Sequence, residues 1–164
     1  MPEAPETNPA RIVADADVLV ADLLGGDADA GNAARAAMDE VRRHSWVELV
    51  ASDALLDDAE AVIADLADDD LAAAWRERVE DLRVDVDHPE GDHPALASAY
   101  RGQAAHLLSY DEGLTGAAAG ATFGSRLNVS VKTPDGFAAL FDAASLYEAV
   151  EGGEYPGPDR DPRA

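Results

Sequence analysis

Apolar segments of two kinds alternate along the chain. In some, apolar residues recur at helical spacing, and in others short apolar runs stand between polar residues and turn formers. The clearest helical pattern covers residues 53–67, where the apolar positions all fall on one face at 3.6 residues per turn. These positions are Leu55, Ala59, Val62, Ile63 and Leu66.

The same patterns predict further helices and five strands. Asn32 is a suitable N-cap for the helix at 33–44, and Pro94 stands in the first turn of the helix at 94–105. Strands that alternate with helices predict an α/β protein, a three-layer α/β/α sandwich with a mainly parallel central sheet. The other helices are expected at 70–82, 114–121 and 134–150 (one or two), and the strands at 11–20, 46–51, 82–86, 106–110 and 128–132.

The length of 164 residues predicts a single domain. Residues 1–10 and 151–164 are rich in Pro, Gly and charged residues, and we expect both to be disordered tails. The domain itself is expected to cover residues 11–150.

The excess of acidic residues predicts a strongly negative surface. The chain has 12 Lys and Arg against 34 Asp and Glu, which gives a net charge of −22. Asp outnumbers Glu, Ala is abundant, and Lys132 is the only lysine. This composition is typical of proteins from a halophilic cytoplasm, where molar salt screens the repulsion between carboxylates. The acidity is therefore interpreted as an adaptation to salt, with a basic partner as the less favoured alternative.

Composition also excludes several kinds of chemistry. The chain has no cysteine, which excludes disulfides, zinc–thiolate sites and thiol catalysis. It has no long uncharged apolar run and no signal-peptide pattern at its start, so we expect a soluble, cytoplasmic protein without membrane contact.

Acidic residues follow the predicted strands. Asp15 and Asp17 come late in the first strand, Asp92 follows the third, and Asp111 follows the fourth, while Asp58 lies early in the helix after the second. In an open parallel sheet, ligands bind beyond the carboxyl ends of the strands. Carboxylates that meet there need a cation or a shifted pKa, and hard oxygen ligands favour Mg²⁺ or Mn²⁺. Such a site suits phosphodiester hydrolysis.

Four segments resemble, in order, the motifs of PIN-domain nucleases. IVADADVLVADLL resembles the opening strand of the family, and SDALLDDAEAVI the second motif. DHPALASAYRGQAAHLLSYDEGL resembles the third block, and VSVKTPDGF the closing strand with its turn. Together they span about residues 12–141, so the resemblance implies a PIN-like domain of an acidic, haloarchaeal type.

The resemblance implies a function and a set of site residues. PIN domains are ribonucleases that use Mg²⁺ or Mn²⁺, and many are VapC-like toxins held inactive by an antitoxin protein, while others process RNA precursors. The residues that match the family's metal-binding acids are Asp15, Asp58, Asp92 and Asp111, with Ser109 as a helper that orients a carboxylate or a water. The expected partners are an RNA substrate, an antitoxin and a second copy in a homodimer.

Several assignments stay open at this stage. Arg101, Arg126 and Tyr110 are candidate contacts to the substrate, although lone arginines are usually surface residues. Asp87 is a rival to Asp92 because the tripeptide DHP occurs twice, and Asp92 could instead cap a helix.

Two other functions compete with the nuclease. One is a catalytically silent PIN-like binding or scaffold module, suggested by Asp17 and Asp58 at positions where the family more often has other residues. The other is a haloacid-dehalogenase-like phosphatase, because Asp15-Ala16-Asp17-Val18 also resembles the opening motif of that family. Zinc binding by His88 and His93 is the least favoured alternative, since their spacing is not that of a helical ligand pair.

Overall fold

A computed structural model describes residues 7–25, 32–91, 93–111, 114 and 129–161. Its centre is a five-stranded, all-parallel sheet with the strand order β3-β2-β1-β4-β5. This confirms the predicted α/β class with a parallel sheet. The strands are β1 (Asn8–Ala14), β2 (Glu48–Ser52), β3 (Arg83–Val86), β4 (Ala104–Leu108) and β5 (Ser130–Lys132).

Seven helices of the described ranges pack around this sheet. None of them is both long and apolar enough to cross a membrane. They are α1 (Ala16–Leu24), α2 (Ala33–Arg42), α3 (Asp53–Leu66), α4 (Asp69–Leu82), α5 (Pro94–Arg101), α6 (Pro134–Leu140) and α7 (Ala143–Val150).

The strand order gives the sheet a topological switch point between β1 and β4. From the central strand β1 the chain moves outward through β2 to β3, and it then returns to add β4 and β5 on the other side. Connections that leave a central pair of strands in opposite directions open a crevice at their carboxyl ends, where ligands bind in sheets of this kind. The ends of β1 and β4 are therefore the place to look for a site.

The first predicted strand is wrong in its second half. The structure ends β1 at Ala14 and begins α1 at Ala16, whereas the sequence analysis continued the strand to residue 20. A short apolar run fits a buried strand and a buried helix equally well. The helix is favoured here because the Asp15 carboxylate accepts a hydrogen bond from the backbone N–H of Ala16 (2.8 Å) and caps it.

Other elements agree with the sequence analysis to within a few residues. The helix predicted at 53–67 is α3, Asn32 caps α2 by accepting from the N–H of Arg35 (3.1 Å), and 134–150 forms two helices. The helix predicted at 94–105 is shorter, because residue 102 leaves the helix and β4 begins at Ala104. Most of the segment predicted as a helix at 114–121 lies outside the described residues.

The predicted tails differ from the structure where it describes them. Residues 8–10 belong to β1. At the other end, the segment 151–161 lies against the end of α2, where Tyr155 Oη is 2.6 Å from His44 Nε2 and the Asp159 carboxylate accepts from the N–H of Ser45 (2.8 Å). This part of the chain is held by hydrogen bonds rather than free, which its Pro and Gly content did not indicate.

Gly102 is required where α5 meets β2. It is buried, and a Cβ at this position would overlap Cγ1 of the fully buried Val50 and lie 3.0 Å from the carbonyl oxygen of Ser98. We expect Gly102→Ala to lower the free energy of unfolding by about 1–3 kcal/mol, as overpacking does in a tight core. Urea unfolding followed by circular dichroism measures it.

Gly136→Ala is the matched control. A Cβ at Gly136 meets only Thr133 Oγ1, at 3.2 Å, and Gly136 lies within α6. Alanine is the better helix former, so this variant should be as stable as the wild type or more so. Equal stability of the two variants would show that the contact between Gly102 and Val50 is not tight.

Candidate functional site

Asp15 lies at the switch point, directly after β1. Both of its carboxylate oxygens accept hydrogen bonds: Oδ1 from the N–H of Ala16 (2.8 Å) and Oδ2 from the hydroxyl of Ser109 (2.9 Å). The backbone N–H of Asp15 donates to the carbonyl of Leu108 (2.9 Å), which continues the pairing of β1 with β4. The carboxylate is therefore fixed in position by the backbone N–H at the start of α1 and by the serine side chain that follows β4.

Ser109 connects Asp15 to Asp111. The Ser109 side chain is fully buried, and its oxygen accepts a hydrogen bond from the backbone N–H of Asp111 (3.0 Å) while its hydroxyl donates to Asp15. Ser109 therefore has the geometry of a residue that orients a carboxylate, which is the helper role implied by the resemblance. Its own backbone N–H donates to the carbonyl of Lys132 on β5 (3.0 Å).

Asp17 is a third carboxylate of this group. It lies in the first turn of α1, and its Oδ2 accepts from the backbone N–H of Tyr110 (3.2 Å). The residue is exposed as a whole, but the protein atoms around its carboxylate remove part of its hydration, and this raises its pKa. The negative charges of Asp15 and Asp111 raise the pKa further, while the N–H groups of Tyr110 and Val18 oppose the shift.

The structure therefore brings together three of the residues predicted to form the site. Asp15, Ser109 and Asp111 are linked by hydrogen bonds, and Asp17 lies within their electrostatic reach. Tyr110, the predicted substrate contact, lies between Ser109 and Asp111 in the chain, directly after β4, and 42% of it is exposed. Burial raises the pKa of Tyr110, and the charges of Asp135 and Asp17 raise it further.

The remaining predicted residues are placed differently. Asp58 is exposed on α3, and its side chain has no hydrogen bond or ion pair to another described residue. Val62, one turn further on, lines a shallow pocket with Asp17. Arg101 is exposed on α5 without a described partner. Asp92 and Arg126 lie outside the described residues. Asp87, the rival of Asp92, is exposed after β3.

Whether a divalent cation can bind at the switch point depends on the oxygen ligands that the residues there offer. Within the described ranges, no group of three or more His, Asp or Glu side chains is arranged to hold a metal ion. Mg²⁺, however, is commonly held by one or two carboxylates, with waters and substrate phosphates as its other ligands. Asp15 and Asp111 offer oxygen donors of this type, and a cation beside them would offset the repulsion that raises the pKa of Asp17. The residues present fit such an ion.

A Ser–His contact one strand away did not appear in the sequence analysis. Ser52, at the end of β2, caps α3 by accepting from the N–H of Leu55 (3.2 Å), and its Oγ is 2.8 Å from His88 Nε2. His88 also contacts the carbonyl of Pro89 through Nδ1 (3.0 Å). His93 accepts from the N–H of Leu96 as the N-cap of α5. Both histidines thus have structural partners, and neither belongs to a group that could hold zinc among the described residues.

The sequence analysis also did not predict the contact that the only lysine makes with a histidine. Lys132 Nζ is 3.0 Å from His106 Nδ1 and has no ion pair with a described carboxylate. Burial and the Lys132 charge lower the pKa of His106 to about 4, and burial lowers the pKa of Lys132. At neutral pH the imidazole is therefore neutral, and its Nδ1 can accept a hydrogen bond from Lys132 Nζ. This contact occupies the group that the phosphatase alternative would need for a phosphate.

Asp17→Asn should make the protein more stable at neutral pH. Because the folded-state pKa of Asp17 is raised, ionisation of this group opposes folding above its unfolded-state pKa, and the penalty disappears in acid when both states are protonated. The gain should be present at pH 7 and be lost toward pH 3. Urea unfolding of both proteins measures it.

Asp65→Asn is the control for the removal of one charge from an acidic chain. Asp65 is exposed near the end of α3. An equal gain from Asp65→Asn would mean that the net charge, rather than the carboxylates around Asp17, causes the effect.

The fold and the site define a class of protein: a doubly wound, parallel α/β protein with carboxylates gathered at its switch point. Residues 6–163 match the model of a family of unknown function, DUF7384. The chain belongs to this family. No curated protein and no solved structure matches the chain. The family description names no activity, so the resemblance to PIN nucleases remains a prediction.

Proposed function

We propose that the protein is a ribonuclease of PIN type that requires Mg²⁺ or Mn²⁺ and hydrolyses phosphodiester bonds of RNA. The observation that carries this proposal is the hydrogen-bonded chain from Asp15 through Ser109 to Asp111, at the crevice between β1 and β4. Asp15 and Asp111 would hold the ion, together with Asp92 and Asp58 if they reach it. A bound cation lowers the pKa of a water and offsets charge on the phosphate.

The chain's own residues have distinct roles in this proposal. Ser109 is a positioning residue, since its hydroxyl fixes the Asp15 carboxylate and its oxygen holds the backbone of Asp111. Tyr110, exposed beside the carboxylates, offers an aromatic face on which an RNA base could stack. Arg101 and Arg126 remain proposed phosphate contacts. An antitoxin, a homodimer and a cytoplasmic location are further parts of the proposal that follow from the resemblance.

The net charge of −22 bears on how RNA would bind. RNA is repelled by such a surface, and counterion release contributes little affinity in molar salt. The bond between metal and phosphate must then supply much of the affinity. RNA binding without a divalent ion should accordingly be weak.

Cleavage of a labelled single-stranded RNA tests the proposal. The full chain is incubated with Mg²⁺, with Mn²⁺, or with excess chelator, and calorimetry measures Mn²⁺ binding on the same preparation. We expect cleavage that needs the metal, with duplex DNA as the uncleaved control. Cleavage that persists in chelator contradicts the metal requirement, and the absence of both cleavage and metal binding contradicts the proposal.

One observation favours a second candidate, a catalytically silent module of the same fold. Both oxygens of Asp15 already serve structural hydrogen bonds, and the described residues contain no three-residue metal group. A carboxylate has about four lone-pair positions, so these bonds leave room for an ion without requiring one. Absence of both metal binding and cleavage, with specific RNA or protein binding retained, would favour this candidate.

A further inference from the structure

A cavity of about 620 Å³ opens between α1, α2 and α4. Its volume lies within the range of about 300–1,000 Å³ that is typical of sites for small molecules. Trp75 on α4 and Met38 on α2 are almost completely buried and form part of its apolar wall. The other apolar lining residues are Leu19, Leu23, Val79 and Leu82.

This cavity is separate from the carboxylates at the switch point. The α1 residues that line the cavity follow Asp15 by four to eight residues, from Leu19 to Leu23, which corresponds to about 6–12 Å at 1.5 Å per residue. None of Asp15, Asp17, Ser109 or Asp111 lines the cavity. A ligand bound here would therefore not occupy the proposed nuclease site.

The innermost charges of the cavity are satisfied within the protein. Asp22 is 3% exposed, and Arg42 binds both of its carboxylate oxygens, one of them at 2.9 Å. Arg42 also contacts Asp39, at 3.4 Å. Arg35 donates to the carbonyls of Asp22 (3.0 Å) and Leu23 (3.1 Å) at the end of α1. These groups shape the floor and have little capacity left for a ligand.

Two arginines at the mouth of the cavity, Arg78 and Arg160, do not form ion pairs with described residues. Arg78 is exposed on α4, and its side chain has no hydrogen bond or ion pair with a described residue. Arg160 has no described ion pair, and its guanidinium is held in place by the carbonyls of Val41 (3.3 Å) and His44 (2.9 Å). Asp159 lies within electrostatic reach of Arg160, whereas the Arg78 guanidinium has no described carboxylate partner, which is unexpected in a chain with 34 acidic residues. Arg78 and Arg160 both line the same cavity.

Two carboxylates, Asp81 and Asp161, also line the cavity, and neither forms an ion pair with Arg78 or Arg160. Asp161 lines the cavity but has an interaction of its own. Asp81 is exposed to water at the end of α4. An anionic group between Arg78 and Arg160 would gain charge-assisted hydrogen bonds, while the solvated Asp81 repels it only weakly.

We propose that this cavity binds a small organic anion with a flat or elongated apolar body. The apolar body packs against Trp75 and Met38, and the anionic group binds Arg78 and Arg160. The proposal does not depend on the nuclease, because the two sites share no residue.

Anilinonaphthalene sulfonate is a suitable probe, since it joins a flat apolar body to one anionic group. N-phenyl-1-naphthylamine has nearly the same body without charge, and a naphthylalkylammonium ion provides the cationic arm. Each is titrated into the full chain in about 2 M KCl, where the repulsion between surface carboxylates is screened. We expect saturable 1:1 binding of the anion, with energy transfer from Trp75, which Trp46→Phe leaves as the only tryptophan.

Arg78→Gln should weaken binding of the anionic probe about tenfold, as the loss of one charge-assisted contact does. The matched control is Arg43→Gln, because Arg43 pairs with Glu40 (3.4 Å) and does not line the cavity. In the wild-type chain, Trp75→Phe should reduce the energy transfer, because only Trp46 then remains as a donor. Equal affinity for the neutral or cationic probe, an equal effect of Arg43→Gln, or no saturable binding would overturn the proposal.

Discussion

Asp15→Asn should reduce the metal-dependent cleavage of RNA by about 100-fold or more. A carboxylate that holds the cation supports several kcal/mol of charge stabilisation in the transition state, and about 1.4 kcal/mol corresponds to a factor of ten in rate. The amide keeps an oxygen that can accept from the N–H of Ala16, and Asn is as good an N-cap as Asp. The amide nitrogen replaces the oxygen that accepts from the Ser109 hydroxyl, and the loss of this hydrogen bond should cost about 1 kcal/mol of stability. Activity should therefore fall much more than stability.

Three measurements on Asp15→Asn decide between loss of function and loss of fold. Cleavage rates of the labelled RNA, Mn²⁺ binding by calorimetry and urea unfolding are compared with those of the wild type and of the control Asp65→Asn. We expect cleavage and Mn²⁺ binding to be lost and the free energy of unfolding to fall by no more than about 1 kcal/mol. Cleavage at the wild-type rate by Asp15→Asn would exclude Asp15 as a metal ligand.

Arg42→Ala should lower the free energy of unfolding by about 3–5 kcal/mol, the range seen when one partner of a buried ion pair is removed. Asp22 would then be a buried carboxylate without its main partner. Burial already raises the pKa of Asp22, and Arg42 opposes that rise, so its removal raises the pKa further. The penalty applies to the ionised form, and it should decrease as the pH falls and Asp22 takes up a proton.

Arg43→Ala is the matched control for this prediction. Arg43 follows Arg42 in the chain, but it forms a more open pair with Glu40, at 3.4 Å. Its loss should cost less than about 1 kcal/mol. Asp22→Asn introduced into Arg42→Ala should restore part of the stability, because the buried charge is gone. Similar effects of the two single substitutions in urea unfolding would show that burial of Asp22 is unimportant.

The fold class could be predicted because the spacing of apolar residues along the chain reflects which positions are buried. The helix α3 has a continuous apolar stripe and a serine at its N-cap, and it was placed to within a residue. The helix α1 was missed because its short run of Val and Leu has no polar face, as Val18, Leu19 and Val20 are all buried. In the structure, Asp15 caps α1 and so favours a helix. From the sequence alone, an N-cap acid cannot be distinguished from an acid at the end of a strand.

The positions of the site residues could be predicted from the sequence only where the residues directly follow strands of the sheet. Asp15 and Asp111 follow adjacent parallel strands, so their approach follows from the sheet order. Contacts that depend on how separate elements pack could not be predicted, such as Ser52 with His88 or Lys132 with His106. The same holds for the cavity, whose arginines come from three distant segments. Asp58 illustrates the opposite case, since its motif position alone did not indicate that its side chain lies in solvent.

The contacts of residues 151–161 affect where this protein can be shortened. The composition of residues 151–164 suggests that the protein could be shortened to end at Val150. Such a version would lack Tyr155, however, and would leave the buried imidazole of His44 facing water. It would also remove Arg160 from the carbonyls that close the end of α2. Proline and glycine here belong to an extended segment that takes its hydrogen bonds from the body it covers. For laboratory use, an affinity tag is therefore better attached beyond residue 164 than substituted for this segment.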